Sequence, residues 1–215
     1  MEIPPPPKLT RQSAMAATII PVVDMKLGEN IFAHNVYDAG KTKTAKLSFK
    51  SDDRQPVLVQ FSAGGKIPAF GYDNGQFGKN VTIHVHDGQE LNSLNQLQTD
   101  AINHVIENKD KFFPGDVSME TVFNNHVKLY GEPKSHDFGS WPATFKAYLK
   151  SDTVVVDTQG QRITDFETLN RSVWVKAIVE LNSIYGAGKT KSGFSKHWRY
   201  IIVEPKAPEP EIIPL

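Results

Sequence analysis

The sequence predicts a mainly β domain of the α+β kind, on three observations. Short runs rich in β-branched and aromatic residues alternate apolar and polar positions along most of the chain. One long segment carries apolar residues at helical spacing, and proline-rich stretches stand at both ends. A chain of 215 residues fits a single domain. Roughly 70% of the unfolded surface is buried at such a size, so a core forms without disulfide or metal staples.

The elements follow in order. Pro4 to Pro7 favour an extended polyproline arm over 1–16, outside any helix or central strand. Thr18 to Met25 reads as a β-branched strand, Leu47 to Lys50 alternates, and Pro56 to Phe61 is a short apolar strand stopped by Gly64-Gly65. From Asn80 to His86, Val81, Ile83 and Val85 take one face and Thr82, His84 and His86 the other. A helix is predicted from Leu91 to about Asn108, because Leu91, Leu94, Leu97, Ala101, Ile102, Val105 and Ile106 form one stripe. Asp87 or Ser93 caps it, and Pro114-Gly115 ends what continues through Phe112-Phe113. Val117 to Val127 is a weaker helix or strand, so the helical insertion lies near 91–127 of a domain spanning 17–204. Strands follow at Thr144–Lys150, Thr153–Asp157, Ser172–Leu181 and Phe194–Val203, with a turn at Asp157 to Gly160 and a Gly- and Lys-rich loop from Asn182 to Gly193. Residues 205–215 form a second Pro-rich tail closing on Ile212-Ile213-Pro214-Leu215; both ends read as inert linkers first, or as docking peptides, for which an apolar tip is suited.

Composition narrows the function. Without cysteine there are no disulfides, thiolate zinc sites or cysteine nucleophiles. Lys+Arg and Asp+Glu both number 24, so the chain has no global field for a polyanion, and any such site must come from local clustering. No apolar run is long enough to span a membrane, and Met1-Glu2-Ile3-Pro4 does not open a signal peptide.

Catalytic motifs are lacking. Gly186-Ala187-Gly188-Lys189-Thr190 mimics the end of a phosphate-binding loop, but Ser183 stands where the first glycine belongs and a strand, not a helix, follows. His84 and His86 share a strand face without a third ligand, so they read as a surface pair. Asp52-Asp53 and Asp137 match no paired-carboxylate pattern, and no serine sits in a Gly-x-Ser-x-Gly elbow. The expectation is a binding protein rather than an enzyme, with no metal or cofactor.

The late strands read either as a solvated outer sheet face or as a binding surface. Phe145, Ala147 and Leu149 face one way; Lys146, Tyr148 and Lys150 face the other. On the next strand Val173, Val175, Ala177, Val179 and Leu181 oppose Trp174, Lys176 and Ile178. Lys189, Lys191, Lys196, His197, Trp198 and Arg199 follow, with Arg162 in the hairpin between. Lys196 and Trp198 alternate with His197 and Arg199, so one pair points away from any shared groove. Aromatic plates among cations suit single-stranded nucleic acid, where bases stack at about 1–3 kcal/mol each and lysines neutralise phosphates.

A family resemblance sharpens this. Thr144-Phe145-Lys146-Ala147-Tyr148-Leu149, Val154-Val155-Val156-Asp157-Thr158-Gln159-Gly160, Trp174-Val175-Lys176-Ala177 and Trp198-Arg199-Tyr200-Ile201-Ile202-Val203-Glu204 resemble, in residues and order, the OB-fold single-stranded DNA-binding proteins of T7-like phages. They resemble more closely the relatives of those proteins in nucleo-cytoplasmic large DNA viruses. Pro56 to Phe61 followed by Pro68-Ala69-Phe70-Gly71 resembles the same relatives, and the Leu91 helix sits where that family inserts one; the likeness covers about 45–204. It implies an OB-like Greek-key β-barrel binding single-stranded DNA in viral replication or recombination, inside the infected cell. The implied contacts are Lys146, Tyr148, Lys150, Arg162, Trp174, Lys176, Lys189, Lys191, Lys196, Trp198 and Arg199. The phage proteins carry a long acidic tail with a terminal aromatic, whereas this chain has only Glu204, Glu209 and Glu211 and ends in Leu215. The runner-up is therefore a virion structural protein, a minor capsid or core component, that uses the Pro-rich tails to hold viral replication or capsid proteins or further copies of itself.

Overall fold

A computed structural model describes residues 18–49, 55–75, 78–136 and 139–204. Both Pro-rich tails, Lys50, Asp52, Asp53 and Asp137 lie outside the described residues.

Five long strands close on themselves. β5 (Val57–Ile67) pairs antiparallel with β7 (Gly78–Val85), which pairs antiparallel with β10 (Ala143–Asp157). β10 runs parallel to β12 (Lys191–Glu204); β12 is antiparallel to β11 (Val173–Ala187), and β11 returns to β5. Numbering these strands one to five in chain order gives 1-2-3-5-4-1, with the third and fifth parallel. This is the closed Greek-key arrangement of the OB-fold, so the mainly β, OB-like architecture expected from the sequence is the one observed.

Smaller strands surround the barrel. β1 (Ile19–Pro21) runs parallel to β5, and β2 (Phe32–Ala33) and β3 (Tyr37–Asp38) pair with β4 (Thr42–Ser48), itself laid against the end of β11. β6 (Tyr72–Gly75) extends β5 along β7, and β8 (Lys134–His136) and β9 (Gly139–Trp141) form a separate hairpin.

Alternation fills the barrel. Val81, Ile83 and Val85 of β7, Phe145 and Ala147 of β10, and Val175, Ala177 and Val179 of β11 are buried. Phe61, Phe145 and Trp198 pack as an aromatic cluster, with ring centroids 4.9 to 6.0 Å apart. The helical insertion comprises α1 (Gly88–Glu107), α2 (Lys109–Phe112) and α3 (Met119–Asn125). Of the two caps considered, Asp87 serves: its carboxylate accepts from the Glu90 N–H at 2.9 Å, satisfying a donor the first turn leaves open. The stripe Leu94, Leu97, Ala101 and Val105 is buried.

Three expectations are corrected, and one left open between helix and strand is decided. Thr18 to Met25 is a strand only over Ile19–Pro21; a 3-10 turn at Val22–Asp24 follows, placing Val22 in the core. Thr144–Lys150 and Thr153–Asp157 are one strand, broken by a bulge where Thr153 Oγ1 donates to the Trp198 carbonyl at 2.6 Å. Val117 to Val127 resolves into the short helix α3, which Ser118 caps. The loop expected over Asn182 to Gly193 is two paired strands with a turn at 188–190. Its glycines mark close approach rather than slack: a Cβ on Gly186 would meet the Phe112 carbonyl at 2.9 Å, and one on Gly193 would meet Tyr185 and Val127 at 3.0 Å.

Candidate nucleic-acid interface

The outer faces of β10 and β7 share a register in which Tyr148 stands opposite Asn80, Lys146 opposite Thr82 and Thr144 opposite His84. The pleat that buries Phe145, Ala147 and Leu149 turns Lys146, Tyr148 and Lys150 outward, and Tyr148 is 46% exposed. β12 joins β10 only from the Tyr148–His197 pair onward. Before that point the two strands diverge, and the segment 126–131 fills the gap. Val127 N–H donates to the Ser192 carbonyl at 2.7 Å, and Gly131 and Thr144 exchange two backbone bonds at 2.7 and 2.8 Å.

A groove of about 430 Å³ lies along this junction. Among the described residues its walls carry three lysines (Lys128, Lys146, Lys196) and three tyrosines (Tyr130, Tyr148, Tyr185), with Phe194 and Asn80, and no carboxylate. Lys146 approaches Asp73 at 3.6 Å and Lys128 meets Glu132 at 2.5 Å, but both carboxylates stand outside the lining. Among the described residues Lys196 has no ion pair. Its ammonium lies over the Phe145 ring, 5.4 Å from the centroid, and burial pushes its pKa down to about 8. Burial, and then Tyr148, raise the Tyr185 hydroxyl. His126 beside the groove donates or accepts at Ser192 Oγ over 2.8 Å; burial, reinforced by Lys196, holds it down to about 4, so it stays neutral.

From the groove an outward row continues around the barrel. Thr144 stands opposite His84, His84 opposite Lys66, and Lys66 opposite Trp174. Trp174 is 39% exposed and its ring lies 5.7 Å from that of His86. Burial lowers the His84 pKa, helped by His86 and Lys66. Beside this row three extra residues bulge between the Lys66–His84 and Tyr72–Val81 pairs. Their turn holds Phe70 89% exposed at φ +65°, a conformation bulky residues rarely adopt. Gly71 N–H on the Pro68 carbonyl at 2.9 Å and Thr82 N–H on the Gly71 carbonyl at 2.8 Å fix it there.

The contact residues read from the sequence therefore divide. Lys146, Tyr148 and Lys196 meet in the groove, Lys150 continues the same strand face, and Trp174 ends the row. Lys176 is exposed and paired with Glu204 at 2.9 Å. Lys189 and Lys191 are exposed at the β11–β12 turn, which Asn125 touches through Thr190 at 3.2 Å, beyond the 126–131 segment. Arg162 is exposed at the far end of β10, bridged to Val156.

One assignment is overturned, and another lies apart from the groove. Trp198 is 0% exposed; it belongs to the aromatic core and donates Nε1–H to the Val81 carbonyl at 2.9 Å. Arg199 points away from the groove, into an ion-pair cluster with Asp152 and Glu180. The sequence reading also missed Tyr185, Tyr130, Lys128, Lys66 and the exposed ring of Phe70. Tyr185 lay in the expected loop, and the β11 alternation carried past Leu181 puts it on the core face, so spacing alone did not mark it.

No family model matches the chain, and no curated protein matches it. Among solved structures it is similar to gp2.5, a single-stranded DNA-binding protein encoded by bacteriophage T7, at 13% identity and a TM-score of 0.43, over 74% of this chain and 97% of that one. It is also similar to the single-stranded DNA-binding protein of bacteriophage Enc34. For the C-terminal truncation the identity is 8% and the TM-score 0.41, over 83% and 97% of the two chains. For the complex with single-stranded DNA the values are 9% and 0.39, over 83% and 98%.

Proposed function

We propose that the chain binds single-stranded DNA with little sequence preference, and that it is a binding protein rather than an enzyme. One observation carries this reading: a protein with 24 basic and 24 acidic side chains has a groove lined, among the described residues, by three lysines, three tyrosines and no acid. Charge is concentrated there against a neutral background, as phosphate neutralisation requires. The tyrosines, with Trp174 and Phe70 along the flank, offer faces that any base can stack on. Backbone cations and flat rings, without a convergent set of base-edge donors, favour tolerance of sequence. The groove also borders the face of the second and third barrel strands, where OB-folds commonly take oligonucleotides. A role in viral DNA replication or recombination is part of the same proposal, supported by the resemblance of the late strands to the phage proteins.

The test is titration of a fluorescent oligo-dT with the full chain at low and moderate salt. Three lysines on phosphates give a slope of about −2 in log K against log salt, from roughly 0.7 per phosphate on single strands. The Tyr148→Ala/Lys196→Gln variant loses at least about tenfold. A folded protein with no affinity at low salt would overturn the reading and leave protein contacts within a virion as the account to pursue.

A further inference from the structure

The groove is closed at one side. The 126–131 segment is bonded to β12 at Ser192 and to β10 at Thr144, and the Leu129 N–H on Gln98 Oε1 at 2.7 Å ties it to α1. Leu129 itself is buried. A strand crossing Lys146 and Tyr148 toward Lys196 therefore meets a wall instead of an exit between β10 and β12. The cation beside that wall has no carboxylate partner among the described residues, while Lys128 on the wall and Lys146 on β10 complete a cationic lining. The hydroxyls of Tyr148, Tyr185 and Thr144 supply neutral donors around it. An internal phosphate brings one negative charge, and its strand must continue on both sides. A terminal phosphomonoester brings about −1.5 to −2 and needs one way in.

Building on the strand-binding reading, we infer that the groove is an end pocket. It takes the terminal nucleotide of a single strand, with the terminal phosphate on Lys196 between Lys128 and Lys146 and the base against Tyr148 or Tyr185. The rest of the strand leaves over Lys146 and Thr144 toward His84 and Lys66. A space of about 430 Å³ is in the small-ligand range and suits one nucleotide rather than a run of them.

The experiment uses the full chain and four internally labelled oligo-dT probes of equal length: 5′-phosphorylated, 3′-phosphorylated, hydroxyl at both ends, and circular. One phosphorylated form is expected to bind about tenfold tighter than the hydroxyl and circular forms, the worth of a charge-assisted hydrogen bond. Lys196→Gln removes that ratio and Lys196→Arg keeps most of it. Lys128→Gln lowers the ratio in part, and keeps the test readable should Lys196→Gln not fold. As a competitor, thymidine monophosphate displaces the phosphorylated probe better than inorganic phosphate does. The opposite order would reassign the groove to free phosphate and overturn the end pocket. Equal affinity for all four probes, with binding intact, would overturn it while leaving strand binding standing. Failure to bind any probe would remove both.

Discussion

Lys196 and Arg199 stand three residues apart on β12, and their surroundings are opposite. Arg199 meets Asp152 and reaches Glu180 at 3.4 Å. The Glu180 Oε1 accepts from Asn182 at 2.7 Å, and Asn182 Oδ1 holds His197 Nδ1 at 2.8 Å. Burial, aided by Lys150, holds His197 down to about 4 against the pull of Asp152. The 3.6 Å approach of its Nε2 to Glu180 is therefore the contact of a neutral ring. Every charge in that cluster has a partner. Lys196 has none among the described residues, in a groove whose lining holds two more lysines. The lesson is that cation counts along a strand do not locate an anion site. What matters is where desolvation leaves a cation without a counter-charge.

The comparison breaks hardest at Trp198. Its replacement by Ala leaves a cavity among Phe61 and Phe145 and frees the Val81 carbonyl, which costs about 3–5 kcal/mol. Chemical denaturation reads this as a large drop in midpoint. A binding loss in that variant at unchanged stability would return Trp198 to the interface.

Charge balance sets the next contrast. Arg199→Gln is expected to leave oligo-dT affinity within about twofold, since its charge is already neutralised, whereas Lys196→Gln weakens binding about tenfold. Equal losses in parallel titrations would show that the two sides of β12 act together.

The third contrast is with pH. Strand binding draws on a Lys196 ammonium that exists in the free protein only below about pH 8, so affinity is full at neutrality and falls as pH rises through that value. Of the groups around it, Tyr185 is pushed up and His126 is held down, so neither gains or loses charge in that window; Lys128 and Lys146 share the groove. Lys196→Arg should flatten the profile, because a guanidinium stays charged. Stability has the opposite sign. The folded pKa lies below the usual 10.5, so the charged form costs stability below about pH 8, and that cost fades between about 8 and 10.5. Lys196→Met should therefore melt higher than the parent at neutral pH, with the gain shrinking across that range.

The smallest effect is expected at Phe70. Glycine relieves the φ +65° turn, worth about 1 kcal/mol and a rise of roughly 2–4 °C in melting temperature. The same change weakens oligo-dT binding if the exposed ring stacks on a base. A variant that melts higher and binds as before would make the bulge a structural feature only.

Much of the architecture is written along the chain. A pleated strand repeats every two residues, so Phe145, Ala147 and Leu149 had to share one face and Lys146, Tyr148 and Lys150 the other. The α1 stripe and its Asp87 cap were legible for the same kind of local reason. Pleat and helix periodicities sort residues into faces, but they do not say which face turns inward when both carry aromatics and cations. Trp174 and Trp198 look alike in sequence, each an aromatic near lysines on a late strand. Barrel closure puts one at the outer flank beside His86 and the other against Phe61 and Phe145. Nor could spacing show that 126–131 would wedge between β10 and β12, because that depends on two strands distant in sequence diverging in space. The groove owes its charge to this placement. Burial strips water from Lys196, and the fold sets no carboxylate of the described residues beside it.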